Sequence, residues 1–397
     1  MTTNSTFGVV YFVYFAGLSA VHPFLALFLK EQLSAPLVGI LLLVKPLVGV
    51  VGGAVLCGFA DQRRCHRFVL LVSTVISAIA MQGLWWWSPG GGFRRFLVLF
   101  SVIGFFSAPV SSIVDSLCAH NIKDSGCKET YGQIRLRGAA GWGAFAAVAA
   151  FLVERWSSWA PAFYIHGIFS MATLFACYRV ATHVSFRRER GADERTFVEK
   201  LNLLMSDAGF GSFILLCVVF GTTTGAIEGF LFPFLATLPG ATETLYGISL
   251  SVTCFSESLV FWKAAPLMRW IEGVGVVNVC FMAFAARLLA YMAMKLIDAN
   301  AWVVLLIEPL HGLTFALTWT WLIEEARTFG LPTNLESFCV AVATSAMFGF
   351  GYALGGFAAG VAFAVSPGIA FLPSLSVLFL GWCGYHRQKR QDVISGK

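Results

Sequence analysis

His22-Pro23-Phe24-Leu25-Ala26, with Gly39-Ile40 after it, is met again as Phe232-Pro233-Phe234-Leu235-Ala236, with Gly247-Ile248 after it. Each copy closes one long apolar run and leads into the next. Apolar runs of spanning length fall at roughly 8–29, 37–59, 68–87, 96–119, 132–153, 160–181, 210–236, 246–266, 274–296, 302–323, 337–362 and 367–385. The repeat therefore marks the end of a first helix and the start of a second in each of two six-helix halves. Parallel repeats of this kind belong to transporter folds. The expected fold is an all-α integral membrane protein, with twelve transmembrane helices in two pseudo-symmetric six-helix bundles. The expected organisation is an N-terminal bundle over 1–185, a central cytoplasmic loop over 186–207, a C-terminal bundle over 208–388 and a cytoplasmic tail over 389–397.

Composition points the same way. Hydrophobic residues make up 58% of the chain and charged ones 12%, against about half and a quarter in soluble proteins. The apolar runs are long and continuous, without the alternation of a membrane barrel. Basic residues stand mostly in loops, which fits a membrane surface and not a nucleic-acid site. The ten cysteines are scattered and form no C-x-x-C, so neither a disulfide framework nor a zinc site is expected. No P-loop, H-E-x-x-H or G-x-S-x-G occurs, so no enzymatic activity, metal or cofactor is expected. The N-terminus lacks a basic n-region, and the first run reads as a retained span, not a signal peptide.

Orientation follows from the basic residues. One set of helix ends carries Arg63, Arg64, Arg67, Lys123, Lys128, Arg135, Arg137, Arg179, Arg187, Arg188, Arg190, Arg195, Lys200, Arg269, Arg327, Arg387, Lys389, Arg390 and Lys397. The other carries only Lys30, Arg94, Arg95, Arg155 and Lys295. Nineteen against five predicts that both termini are cytoplasmic. A plasma-membrane location is favoured over an organelle, and a monomer is expected in the lipid bilayer. Trp85-Trp86-Trp87 before Ser88-Pro89-Gly90 reads as an outer interfacial belt and a turn.

Charges inside the hydrocarbon layer are costly and need an explanation. Arg135 and Trp142 lie seven residues apart in Tyr131-Gly132-Gln133-Ile134-Arg135-Leu136-Arg137-Gly138-Ala139-Ala140-Gly141-Trp142, close to one helix face. Arg135 has a planar fork for a sugar or carboxylate, or anchors the helix end, the reading preferred for Arg137. Asp115, near the end of the preceding helix, either accepts from substrate hydroxyls or pairs with Arg135 or Arg137. Lys45 sits before Pro46 midway along the second helix, where it would pair with an acid or hold an anionic substrate. Glu228 follows Gly221 and Gly225 and precedes Gly229, a small-residue face for helix packing, with the acid lining the cavity or the packed face. His22 lies toward the outer end, in an interfacial position. Glu308, His311 and Thr314 share a face by their spacing, and Arg287 is on the helix before. Burial favours a neutral carboxyl and a guanidinium alongside favours a charged one, so moving the arginine would load and release a proton. A static network holding the second half together is the alternative.

With these residues in view, the chain resembles the major facilitator superfamily. Gly58-Phe59-Ala60-Asp61-Gln62-Arg63-Arg64-Cys65-His66-Arg67 is similar to that superfamily's first inner signature loop, with Cys57 and Arg64 where its glycines stand. The resemblance implies a gating role for Asp61, Arg63, Arg64 and Arg67. Tyr131 to Trp142 resembles the matching helix of the lactose-permease (oligosaccharide:proton symporter) and nucleoside-permease-like branch. It implies substrate binding by Arg135 and stacking on a sugar by Trp142. Ser256-Glu257 with Ala265-Pro266-Leu267 resembles the eighth helix, where the acid binds substrate. Arg287-Leu288-Leu289 resembles the ninth, and Leu310-His311-Gly312-Leu313-Thr314-Phe315 the tenth, with His311 as a substrate-and-coupling histidine. The branch's proton-carrying glutamate is Thr314 here, and Glu308 stands one turn before the histidine instead.

The resulting expectation is a secondary active transporter of a small polar solute, sugar- or nucleoside-like, coupled to protons and working by alternating access. Asp115, Arg135, Trp142, Glu257, Lys45 and Glu228 are its expected substrate-binding residues, and Arg287, Glu308 and His311 its proton-coupling group. An uncoupled facilitator and a non-transporting receptor or sensor on the same fold are the alternatives.

Overall fold

Twelve helices long and apolar enough to cross a membrane are present among the described residues of the computed structural model, one for each run read from the sequence. It describes residues 3–63, 65–87, 92–125, 131–180, 197–333 and 335–395. The spans are α1 (Thr6–Lys30), α2 (Ala35–Ala60), α3 (His66–Trp86), α4 (Phe93–Asp115), α5 (Ile134–Trp156) and α6 (Ala160–Val180) in the first half. In the second they are α7 (Ala208–Leu235), α8 (Glu243–Trp262), α9 (Val276–Leu296), α10 (Ala301–Gly330), α11 (Phe338–Val365) and α12 (Pro367–Gln391). Helices are forced here because hydrocarbon offers backbone groups no partner, so each segment satisfies its own.

The repeated Pro-Phe-Leu-Ala stretch adopts two local structures. In α1 the helix breaks into a 3-10 turn at His22–Phe24, with Pro23 where its missing N–H costs nothing. In α7 Pro233 stays inside an unbroken α-helix to Leu235. Two regions differ from the sequence expectation. The central segment, read only as a loop, contains a helix at Phe197–Ser206 that buries Leu204 and exposes Leu203 and Met205. Its amphipathic pattern is too short to register as a span. Asp207 then caps the next helix, accepting the N–H groups of Gly209 (2.8 Å) and Phe210 (3.4 Å). The last helix runs Leu372–Ser395, through most of the expected tail, because Arg387, Gln388, Lys389, Arg390 and Gln391 are good helix formers outside a membrane.

Among the described residues the most extensive seams between the halves are α2 on α11 and α5 on α8. Both depend on backbones approaching closely. A Cβ on Gly247 would lie 2.7 Å from Ala147 Cα, and Ser251 Oγ donates to the carbonyl of Gly143 at 2.8 Å. Toward the face opposite the termini α1 also meets the second half: Phe24 stacks on Phe232 of α7 at 5.6 Å and Lys30 Nζ sits 4.0 Å over the Phe363 ring of α11, while the Thr244 N–H donates to Glu154 at 2.7 Å.

Candidate functional site

From Val219 to Leu235 every residue of α7 is buried except Glu228. Glycines explain why the rest of this helix can be so enclosed. A Cβ on Gly225 would lie 2.6 Å from Tyr352 Cα on α11, so no other residue permits this approach. The small-residue face thus packs on α11, and Glu228 turns instead to the space between the halves. The Tyr352 hydroxyl hydrogen-bonds its carboxylate, and Lys45 and Arg287 are both near enough to interact with it electrostatically.

Arg287 is the hub of the second half. It is 2% exposed, and four of its donors are used within the protein. Nη2 meets Glu308 Oε2 at 3.0 Å. Nη1 lies 3.1 Å from His311 Nδ1 and donates to Thr314 Oγ1 at 2.9 Å. Nε donates to the Tyr291 hydroxyl at 3.0 Å, which in turn donates to Glu308 Oε1 at 2.8 Å. Glu308, 1% exposed, therefore has both oxygens occupied. The other face of His311 continues the chain, with Nε2 4.0 Å from Glu257 Oε2. Because Nδ1 faces a guanidinium, which only donates, a neutral His311 carries its proton on Nε2, toward Glu257.

The backbone here is irregular where the sequence spacing implied a plain helix. Pro309 sits in a 3-10 turn at Glu308–Leu310, and Gly312–Leu317 is π-helical. A second π segment, Ser345–Gly351, lies in α11. Between them runs a ladder of rings that spacing did not reveal. His311 and Phe315 are stacked at 5.4 Å, Phe315 and Trp319 at 6.4 Å, and Phe348 packs against both Phe315 and Trp319.

In the first half, Arg135 lies 4.0 Å from the Phe15 ring centre and 5.3 Å from that of Tyr11. The Tyr11 hydroxyl donates to Asp115 Oδ1 at 2.6 Å. Trp142 packs on the same Phe15 at 6.0 Å, so the shared face of Arg135 and Trp142 is directed at α1. Arg135 is also within electrostatic range of Glu257 across the seam. Lys45 Nζ is 2.9 Å from His22 Nδ1. This corrects the interfacial reading of His22, whose apolar neighbours hid its partner twenty-three residues away.

Direct contacts thus join Asp115 to Tyr11 and Arg135, Glu257 through His311 to Arg287 and Glu308, and Lys45 to His22, while longer-range electrostatics alone relate Arg135 to Glu257 and Glu228 to Arg287 and Lys45. The charged intramembrane candidates belong to this arrangement, and Trp142 packs on Phe15, the ring beside Arg135. Tyr11, Tyr291 and Tyr352 were not singled out by sequence; only Tyr291, four residues after Arg287 on one helix face, left a spacing signal. In the signature loop, Arg63 and Arg67 are exposed, and Arg67 stacks 4.3 Å over Tyr178. Arg64 and the Asp61 side chain lie outside the described residues. Among the described residues no cluster of metal ligands occurs.

The class of protein follows. Residues 5–372 match the MFS_1 like family, and the chain belongs to it, an MFS-type transporter in a multi-pass membrane fold. Maltose permease of Geobacillus stearothermophilus is 27% identical over 357 residues, 88% of this chain and 84% of that protein. Two crystal structures of the nucleoside transporter NupG share the fold at 13% identity, with TM-scores of 0.78 and 0.74, covering 97% of this chain and 99% of that one. An auto-inhibited POT family peptide transporter shares it at 9% identity and a TM-score of 0.71, covering 98% and 97%.

Proposed function

We propose that the chain is a secondary active transporter of a small polar solute, sugar- or nucleoside-like, coupled to protons and working by alternating access. The observation that carries this reading is the distribution of charge across the seam. In this space the second half has three acids, Glu228, Glu257 and Glu308, and one arginine, Arg287. The first half brings Lys45 to Glu228 and Arg135 to Glu257. Rocking the halves apart takes Lys45 from Glu228 and Arg135 from Glu257, and a carboxylate that loses a nearby cation takes up a proton more readily. Substrate hydroxyls that bridge Arg135 and Glu257 favour the closed arrangement instead, so solute and proton affect the same equilibrium.

In this reading Asp115, Arg135, Trp142, Glu257, Lys45 and Glu228 bind substrate. Arg287, Glu308 and His311 form the coupling group, and the loop with Asp61, Arg63, Arg64 and Arg67 gates the inner side. The protein acts as a monomer in the plasma membrane with both termini in the cytoplasm. A maltose permease among its relatives and a nucleoside transporter among its structural neighbours support the solute class.

The test is counterflow in proteoliposomes with labelled maltose and labelled nucleosides, followed by uptake driven by an imposed pH gradient. Counterflow with accumulation under the gradient is expected. Counterflow without accumulation assigns an uncoupled facilitator, and binding without either assigns a sensor.

A further inference from the structure

A second polar feature lies away from the seam, inside the first bundle. A chamber bounded by α1, α3, α4 and α6 has about 30 Å³ open to a water-sized sphere, enough for one or two waters at roughly 10–15 Å³ each. His22, His166, Ser77, Ser107 and Ser170 are among its lining residues. Interiors keep few voids of this size, and empty ones are apolar, whereas this one is lined by imidazoles and hydroxyls.

The hydrogen bonds around it specify what that occupant must offer. Lys45 Nζ lies 2.9 Å from His22 Nδ1, and an ammonium only donates, so Nδ1 accepts and the His22 proton is on Nε2. That Nε2 is buried and has no protein partner. It belongs to the ring edge away from Lys45, and Lys45 does not line the chamber. His166 repeats the pattern. Gln82 Nε2 donates to the Phe163 carbonyl at 2.9 Å, which orients its amide, and lies 3.1 Å from His166 Nδ1. His166 Nδ1 therefore accepts too, and its proton is also on Nε2. The Ser107 hydroxyl has no hydrogen bond among the described residues. Two N–H donors and a set of hydroxyl oxygens call for a small group that accepts twice and donates twice.

We propose that the chamber is a buried water site. One or two ordered waters accept from Nε2–H of His22 and of His166 and donate to the chamber hydroxyls. They hold His22 in the tautomer whose Nδ1 keeps Lys45 at the edge of the central space. The water and His22 thereby position Lys45, which lies within electrostatic range of Glu228 on the other half. Leaving this Nε2–H without an acceptor would disfavour that tautomer. The charged and titratable groups around the pair are Lys45 from α2, His166 from α6 and Tyr14 from α1 itself, with Glu228 of α7 beyond Lys45.

The experiment is NMR of the full chain in lipid nanodiscs with ¹⁵N-labelled histidine, the His22 signals being assigned by their loss in His22→Gln. A neutral His22 protonated at Nε2, with a magnetisation-transfer cross-peak from that proton to water, is expected. Ser107→Leu fills the chamber and should abolish the cross-peak and give a mixture of His22 tautomers. A parent protein whose His22 Nε2–H shows no water cross-peak, or whose His22 is protonated at Nδ1, overturns the proposal even if the leucine variant does not fold. So does a cross-peak that survives in a folded Ser107→Leu protein. A His22 signal that moves when chloride replaces gluconate at constant ionic strength assigns the site to an anion and overturns it as well.

Discussion

Arg287 and Glu308 can be neutralised singly and together, as Arg287→Gln, Glu308→Gln and the double variant. The two side chains are 3% and 1% exposed and meet at 3.0 Å. Removing one partner leaves the other charge enclosed, and breaking a buried pair costs roughly 3–5 kcal/mol. Glu308→Gln should fall near the lower figure. Its amide oxygen can still accept from Tyr291, and Arg287 keeps its bonds to Tyr291, His311 and Thr314. Arg287→Gln should fall near the upper one, since Glu308 loses its cation and His311 and Thr314 lose a donor. The double variant leaves no unpaired charge, and its cost should be less than the two single costs together by about 2–3 kcal/mol. Unfolding of purified protein, followed by the helical signal, gives the three values. Transport separates structure from coupling. Glu308→Gln mimics a permanently protonated acid, so it should retain counterflow and lose accumulation driven by a pH gradient. The double variant should recover stability without recovering accumulation. Single costs that simply add would refute the coupled pair. Accumulation by Glu308→Gln at the parent level would make Glu308 structural. If His311→Gln alone shows the uncoupled pattern, the proton is carried by the histidine, whose ordinary pKa is about 6.5.

Other perturbations probe the rest of the site. Arg135→Lys keeps the charge but loses the planar fork and its stacking on Phe15. One lost charge-assisted bond is worth roughly 1.5–3 kcal/mol, so substrate affinity in counterflow should fall about 10–100-fold; unchanged affinity would rule out a bidentate role. Gly225→Ala puts a methyl against the Tyr352 backbone and should destabilise the protein by about 1–3 kcal/mol; a neutral result in thermal unfolding would mean that α7 and α11 are not this close. Cysteines placed at Ser88 and Ser185, in protein whose native thiols have been blocked, should react from outside and from inside respectively; the reverse pattern would invert the topology. Lys45→Met should weaken the tie between Glu228 and the first half and lower accumulation more than counterflow; equal losses in both would make Lys45 a substrate ligand with no part in coupling.

The number of spans, their places and the pairing of the halves were legible in the chain itself. Continuous apolar runs can only be helices in lipid, and His22 to Ala26 against Phe232 to Ala236 marks equivalent positions in the two halves. The charged members of the central set were legible for the same reason, because a charge among apolar residues is conspicuous. Spacing along one helix also joined Glu308 to His311 and Arg135 to Trp142. Partnerships between helices were not legible. Nothing local pairs His22 with Lys45, Tyr11 with Asp115 or Glu257 with His311, since these distances arise only when α1, α2, α4, α8 and α10 pack together. Nor did any motif mark the tyrosines, which pass for apolar residues until a buried hydroxyl finds a carboxylate. The π segments in α10 and α11 and the 3-10 break at His22 are likewise products of packing. The chain determined which segments enter the membrane through the transfer energy of single residues; the tertiary structure decided which charges meet, because the energy of a charge pair depends on the distance between its helices and not on local sequence.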